Sequence, residues 1–161
     1  MKKYLIHSSP VGPLRLLASE TGLAGVYFAE HKHLQIDLAW QADPQNALLQ
    51  NAAQQLDAYF AGSLRDFDLS LDCSQGTPFQ QEVWQALRTI PYGAVCSYSA
   101  LAQQIGRPKA IRALGAANGR NPLSIIIPCH RVIAANGDLQ GYAGGLENKQ
   151  RLLALERHFV A

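Results

Sequence analysis

Cysteine is scarce in this chain, and long apolar runs are missing from it. The three cysteines, Cys73, Cys96 and Cys129, are an odd count at wide spacing with no CxxC pair. That excludes a disulfide framework and points to a reducing cytoplasm. The longest apolar runs are strand-sized, such as Ile125-Ile126-Ile127, far short of what crosses a bilayer, so no membrane partner is expected. The start, Met1-Lys2-Lys3-Tyr4-Leu5-Ile6-His7, turns polar after two aliphatics and lacks the apolar centre of a signal peptide. Internal repeats and low-complexity tracts are absent too. What is there is a chain of 161 residues, 48% apolar, which can bury a core in one domain or two small ones.

The net charge of +2 hides an uneven distribution. Residues 1–76 hold five Lys/Arg against eight Asp/Glu, whereas residues 77–161 hold nine against four, so only the second part has the electrostatics of something that meets phosphates. A domain boundary is expected at Cys73-Ser74-Gln75-Gly76, dividing the chain into 1–76 and 77–161. In the first part Tyr4/Ile6, Leu14/Leu16 and Val26/Phe28 alternate as strands do. Asp43-Pro44 predicts a helix start, followed by helical spacing from Leu49 to Phe60 and a stop at Gly62. A further strand is expected over Phe67–Leu71.

In the second part Thr77-Pro78-Phe79-Gln80 reads as a capping box opening a helix with Phe79, Val83, Trp84 and Leu87 inward. Ser99 is expected to cap a short helix through Ile105. Pro108 is expected to open another, to about Asn118, with Ala110, Ile111, Leu114 and Ala117 inward and Lys109 and Arg112 outward. Two short helices joined by Gly106-Arg107, the second basic, form a helix-turn-helix pattern, although plain packing produces the same pattern. Strands are expected at Ile125–Ile127 and Val132–Ile133, with a hairpin turn at Asn136-Gly137, as a wing requires. A glycine-rich loop, Gly141–Gly145, precedes a last helix over 146–157 with Glu147 and Arg151 at i,i+4 spacing.

The run Ile127-Pro128-Cys129-His130-Arg131-Val132 carries the chemistry. A cysteine beside a histidine suggests an activated thiol, because the thiolate is the nucleophile. Neighbours in extended backbone point to opposite faces, so His130 reaches the sulfur only across a bend or through water. A carboxylate must orient the imidazole, and Glu156 on the last helix is the best placed. An isolated Cys-His pair is more often a small buried hydrophobe next to an incidental histidine.

The whole run settles more than the pair. Pro-Cys-His-Arg-Val, the Asn-Gly turn, Gly-Tyr-Ala-Gly-Gly and the Leu-Leu-Ala-Leu-Glu helix resemble the O6-alkylguanine-DNA alkyltransferases. Upstream, Pro91-Tyr92-Gly93, Ser97-Tyr98, Leu101-Ala102, the stretch from Lys109 to Gly115, and Asn121-Pro122 extend the resemblance over residues 77–157. It implies an α/β protein with an N-terminal ribonuclease-H-like domain and a C-terminal winged helix-turn-helix domain, acting as a monomer on the minor groove of double-stranded alkylated DNA. It implies Cys129 as alkyl acceptor, His130 as its base through water, Glu156 orienting His130, and Tyr98 assisting base flipping and the leaving guanine. Arg112 would be the arginine finger, with Lys109, Ala110 and Arg120 as further DNA contacts and Asn121 as the hinge. Tyr142, Ala143, Val132 and Asn118 would form the substrate pocket. The family usually has serine where Ala143 stands, and its basic residue before the hinge is shifted to Arg120. One cysteine with His7, His31 and His33 does not make the N-terminal zinc site of some relatives, so neither metal nor organic cofactor is expected, and His31 and His33 are read as exposed loop residues. Three other readings compete. A non-catalytic relative would carry tryptophan at position 129, a winged-helix regulator leaves Pro-Cys-His-Arg-Val unexplained, and a cysteine hydrolase would need a separated histidine.

Overall fold

The computed structural model describes residues 2–137 and 142–160. The far arm of the hairpin expected at Asn136-Gly137, and Gly141 of the glycine loop, lie outside the described residues. The three alternating segments form antiparallel strands β1 (Lys3–His7), β2 (Leu14–Ala18) and β3 (Leu23–Phe28). A short β4 (Gln41–Ala42) adds to β1 in parallel, giving the order β3-β2-β1-β4. Helix α1 (Ala47–Phe60) lays Leu49, Ala52, Ala53, Leu56 and Tyr59 on this sheet.

The start of α1 differs from expectation. Asn46, not Asp43, caps it by accepting from the Leu49 N–H at 3.1 Å. Asp43 donates its own N–H to the Tyr4 carbonyl at 2.9 Å, so the chain is still committed to the sheet edge there and the helix begins only after the Asp43–Asn46 turn. The strand expected over Phe67–Leu71 is not formed as a ladder. Only Leu71 bridges Leu23, flanked by hydrogen bonds from Leu23 N–H to Ser70 and from Asp72 N–H to Leu23, both 2.8 Å.

In the second part the capping box holds in full: Gln80 N–H donates to Thr77 Oγ1 at 3.1 Å and Thr77 N–H to Gln80 Oε1 at 3.0 Å, opening α2 (Pro78–Leu87). Helices α3 (Tyr98–Gln104) and α4 (Ile111–Gly119) follow, joined through Gly106-Arg107. Ser97 rather than Ser99 caps α3, which puts Tyr98 at its first position. Pro108 and Lys109 belong to the preceding turn, closed by Ala110 N–H on Arg107, so α4 begins at Ile111 with no side-chain cap. Ile111 is exposed instead of buried, beside exposed Arg112 and Ala113, while Leu114 and Ala117 face inward. Trp84 Nε1 donates to the Ala117 carbonyl at 2.9 Å and fixes α4 against α2. Phe79 is only half-buried, under the Arg107 guanidinium.

Val132–Ile133 is a strand (β6), pairing in parallel with Cys96–Ser97 (β5). Ile125–Ile127 is not one. These residues are buried in turns, and Ile125 takes a left-handed φ of 74°, which a β-branched residue adopts only when surrounding packing dictates it. The last helix, α5, spans Leu146–Val160 and carries the expected Arg151–Glu147 pair at 2.6 Å. Buried side chains from both parts form one continuous core, and the Val26 N–H donates to the Pro122 carbonyl across it at 2.8 Å. No described helix is long and apolar enough to cross a membrane.

Candidate active site around Cys129

Pro128 (φ −80°, ψ 62°) makes an inverse γ-turn, closed by the Cys129 N–H on the Ile127 carbonyl at 2.7 Å. Cys129–Arg131 then form a single 3-10 turn. The backbone is therefore bent where an extended segment would have sent Cys129 and His130 to opposite faces. Cys129 is only 3% exposed. Its sulfur accepts from Asn121 Nδ2 at 3.1 Å, and the same amide group donates to the Ile127 carbonyl at 2.8 Å. Asn118, at the end of α4, donates to the Cys129 carbonyl at 3.4 Å. The exposed helix and the buried sulfur are thus joined by two asparagines.

Behind the sulfur lies a closed polar network. Glu156 on α5 accepts from His130 Nε2 at 2.7 Å, from Arg131 Nε at 2.8 Å and Nη2 at 3.0 Å, from the Gly93 N–H at 3.1 Å, and from the Tyr59 hydroxyl at 2.6 Å. Burial alone would raise the Glu156 pKa, but the hydrogen bonds and charges of His130 and Arg131 outweigh it and hold the carboxyl well below the usual carboxylate range. A carboxylate at Nε2 assigns the proton to that nitrogen and leaves Nδ1 as the basic atom. Burial, partly offset by Glu156, lowers the His130 pKa and keeps the ring neutral. Nδ1 has no hydrogen-bond partner among the described residues. No direct hydrogen bond joins His130 to the Cys129 sulfur there.

Lys149 is also buried, and its Nζ donates to the Val132 carbonyl at 2.6 Å. Burial lowers its pKa to about 8, with the nearby Cys129 opposing that shift. Burial pushes the Cys129 thiol up to about 11, against the Asn121 hydrogen bond and the Lys149 charge. The resting group is therefore a thiol. Tyr98 and Tyr142 both lie close enough to Cys129 to feel its charge; burial raises each of their pKa values first, and Cys129 adds to it. The Tyr98 ring also packs on Gly115 of α4, and its hydroxyl faces Asn118. The Tyr142 hydroxyl and Ser124 Oγ face one another without closing a hydrogen bond.

A family model described as the 6-O-methylguanine DNA methyltransferase DNA-binding domain matches residues 78–158, and the ribonuclease-like domain of the same family matches residues 2–73. The chain is 50% identical over 152 residues to a methylated-DNA–protein-cysteine methyltransferase of Mycobacterium leprae, covering 94% of this chain and 90% of that one. The relative of the same name from Methanosarcina acetivorans is 49% identical, covering 95% and 97%. The crystal structure of Mycobacterium tuberculosis OGT in complex with DNA superposes with a TM-score of 0.92 at 48% identity, covering 98% of this chain and 94% of that one. This chain belongs to the 6-O-methylguanine DNA methyltransferase family.

The family fold, a mixed α/β chain with a ribonuclease-like and a DNA-binding part, is the class expected from the sequence. Of the residues the family resemblance singles out, Asn121, Tyr98 and Tyr142 stand at the Cys129 sulfur and Asn118 at the Cys129 carbonyl, while His130 is joined to Glu156 and Val132 to Lys149. The Ala143 carbonyl accepts from the Lys32 N–H at 2.9 Å. Lys109, Arg112 and Arg120 stand exposed on the α4 side, with Ala110 half-buried. Three participants were not read from the sequence: Lys149, Arg131 as a partner of Glu156, and Tyr59. The Arg131 signal is its place inside the Pro-Cys-His-Arg-Val run. Tyr59 stands 97 residues from Glu156, and no local pattern marks it. His33 is exposed as expected, but His31 is half-buried and stacks on Phe28.

Proposed function

We propose that Cys129 takes an alkyl group, methyl in the simplest case, from O6-alkylguanine in duplex DNA and keeps it, so that one protein repairs one lesion. The observation that carries this reading is the buried sulfur itself, held by Asn121 just beyond α4 and backed by the His130–Glu156 pair. The target carbon is sp3, so sulfur displaces guanine in line and no oxyanion hole is needed. With burial pushing the thiol up to about 11, thiolate is scarce at pH 7. Proton removal therefore belongs to the reaction step, with the proton passing to His130 Nδ1 through water as the S–C bond forms. The C–O6 bond breaks, its electron pair stays on guanine, and the base regains a proton on the Tyr98 side. The thioether has nothing to hydrolyse, which makes the event single-turnover.

A stacked base must leave the duplex to reach Cys129, at a cost of a few kcal/mol, less for a damaged pair. Arg112, projecting from the start of α4, fills the space it leaves, with Lys109, Ala110 and Arg120 beside it in the minor groove. Asn121 is the hinge between that helix and the sulfur, and Tyr142, Ala143, Val132 and Asn118 wall the pocket. The carbonyls of Val132 and Ala143 already accept from Lys149 and Lys32, so a base edge meets their remaining lone pairs. We divide the chain at 1–76 and 77–161, and expect a cytoplasmic monomer that needs neither metal nor organic cofactor.

Intact mass after incubation with excess duplex DNA containing O6-methylguanine, followed by peptide mapping, tests the reading. The expected result is a single methyl-for-hydrogen gain on Cys129, saturating at one event per chain and lost in Cys129→Ser while DNA binding persists. A folded protein that binds the lesion without gaining mass is a lesion-recognition protein, and the proposal fails.

A further inference from the structure

The walls of the acceptor site come from the C-terminal part, but one of them is held from the N-terminal part. The Tyr142 ring, fully buried, meets Phe28 at the end of β3 edge-to-face, with centroids 5.7 Å apart at 71°. Phe28 also lies against the backbone of Gly144: a Cβ added there would fall 2.3 Å from Phe28 Cδ2 and 2.4 Å from Cε2. Gly144 does not occupy the left-handed region, so its lack of a side chain serves space and not backbone conformation. Between these two contacts, the Lys32 N–H donates to the Ala143 carbonyl at 2.9 Å. On the outer side, Phe28 stacks on His31 at 6.0 Å and 11°, and the His31 Nδ1 accepts from the Phe28 N–H at 3.3 Å. Phe28 is therefore held between His31 and the Tyr142–Gly144 loop.

We infer that Phe28 is a positioning residue for alkyl transfer, setting where Tyr142 stands relative to the Cys129 sulfur and hence how large an alkyl group the site accepts. This rests on the reading of Cys129 as the acceptor. The Tyr142 hydroxyl closes no hydrogen bond among the described residues, although Ser124 Oγ faces it, so packing does most to fix the ring and the ring follows its neighbour. A smaller residue at 28 lets Tyr142 retreat. The site then fits a methyl group less closely and a bulky one more easily, and small displacements of reacting groups cost large factors in rate.

The test compares second-order rates of Cys129 alkylation by the same duplex carrying O6-methylguanine or O6-benzylguanine. Wild type, Phe28→Ala, Phe28→Leu, Gly144→Ala and the Phe28→Ala/Gly144→Ala pair are measured, with thermal unfolding of each. Phe28→Ala is expected to slow methyl transfer by roughly tenfold and benzyl transfer less, raising the benzyl-to-methyl ratio. Phe28→Leu should move the same way by a smaller amount, and it carries the comparison if Phe28→Ala fails to fold. Gly144→Ala alone should slow both reactions, and the added Phe28→Ala should restore part of the loss because the ring its methyl strikes is gone. An unchanged ratio in the folded Phe28 variants, whatever their melting temperatures, overturns the inference, as does strict additivity in the paired variant. If wild type gains no alkyl group, the acceptor reading has failed and this inference falls with it. Wild-type transfer with an unmoved ratio sinks only the role of Phe28.

Discussion

At the level of single residues, the site combines a nucleophile that burial makes unreactive with two groups that work against that burial. Burial dominates at Cys129, while Asn121 and Lys149 favour its thiolate. Lys149 is itself displaced to about 8, so its charge at neutral pH is held at a cost to folding. Lys149→Met should therefore slow methyl transfer at pH 7.5 by tenfold or more, roughly the effect of one well-placed charge. Its stability signature has a definite sign. Between pH 8 and about 10.5 the unfolded chain holds a proton that folded Lys149 has lost, so stability supplied by this site rises with pH across that window, by on the order of 3 kcal/mol at most. Urea denaturation at both ends of the window should show the Lys149 chain gaining on Lys149→Met. The comparison belongs in a Cys129→Ser background, which removes the thiol's own titration. Glu156 has the opposite window. Its depressed pKa lends stability that is complete above the ordinary carboxylate value of about 4.3 and is lost as pH falls below it. Glu156→Gln should forfeit that stability at neutral pH and flatten the acid limb of the unfolding curve. An acid limb identical to wild type would mean that the network does not hold Glu156 ionised.

At the level of elements, α2 was legible because everything that starts it is local: Thr77, Pro78 and Gln80 lie within four residues. The neighbouring starts were misplaced where tertiary bonds compete with local ones. Asp43 is engaged by Tyr4, Pro108 is used in a turn, and the Ile125–Ile127 run is β-branched yet forced into buried turns just after Leu123 bridges β3. The Cys129, His130 and Asn121 positions were legible because they lie in one short stretch. Tyr59 was not, since Glu156 stands 97 residues along the chain and only folding brings them together; Lys149, 17 residues from Val132, was not because a lysine on an amphipathic helix reads as a solvated charge until folding buries it. The revised start of α4 bears on function. With Ala110 as the cap position, Arg112 is the second helical residue, exposed beside Ile111, and points away from the core. Arg112→Ala should slow transfer from O6-methylguanine in duplex about tenfold or more while leaving reaction with free O6-benzylguanine within about twofold of wild type, since only the duplex needs the vacated space filled. Equal loss with both substrates would remove the finger assignment and make Arg112 a structural residue.

For the whole molecule, the uneven charge makes a prediction that no single residue does. The acidic N-terminal part and the basic C-terminal part share one core, so the protein presents phosphates with one favourable side. Lys109, Arg112 and Arg120 are exposed cations on or beside α4, while exposed Arg107 in the preceding turn is paired with Glu82. If these three meet phosphates, log affinity for undamaged duplex should fall against log salt with a slope of roughly −3, near 0.9 per phosphate contact. Fluorescence anisotropy from 50 to 200 mM salt would measure it. Arg120→Ala should lower the slope by about one, whereas Lys32→Ala, on the N-terminal part, should leave it unchanged. A slope far steeper than three phosphates allow, falling further in Lys32→Ala, would place DNA across both parts of the molecule. The loop that anchors Ala143 would then lie in the interface, and DNA binding would act on the Phe28–Tyr142 contact directly.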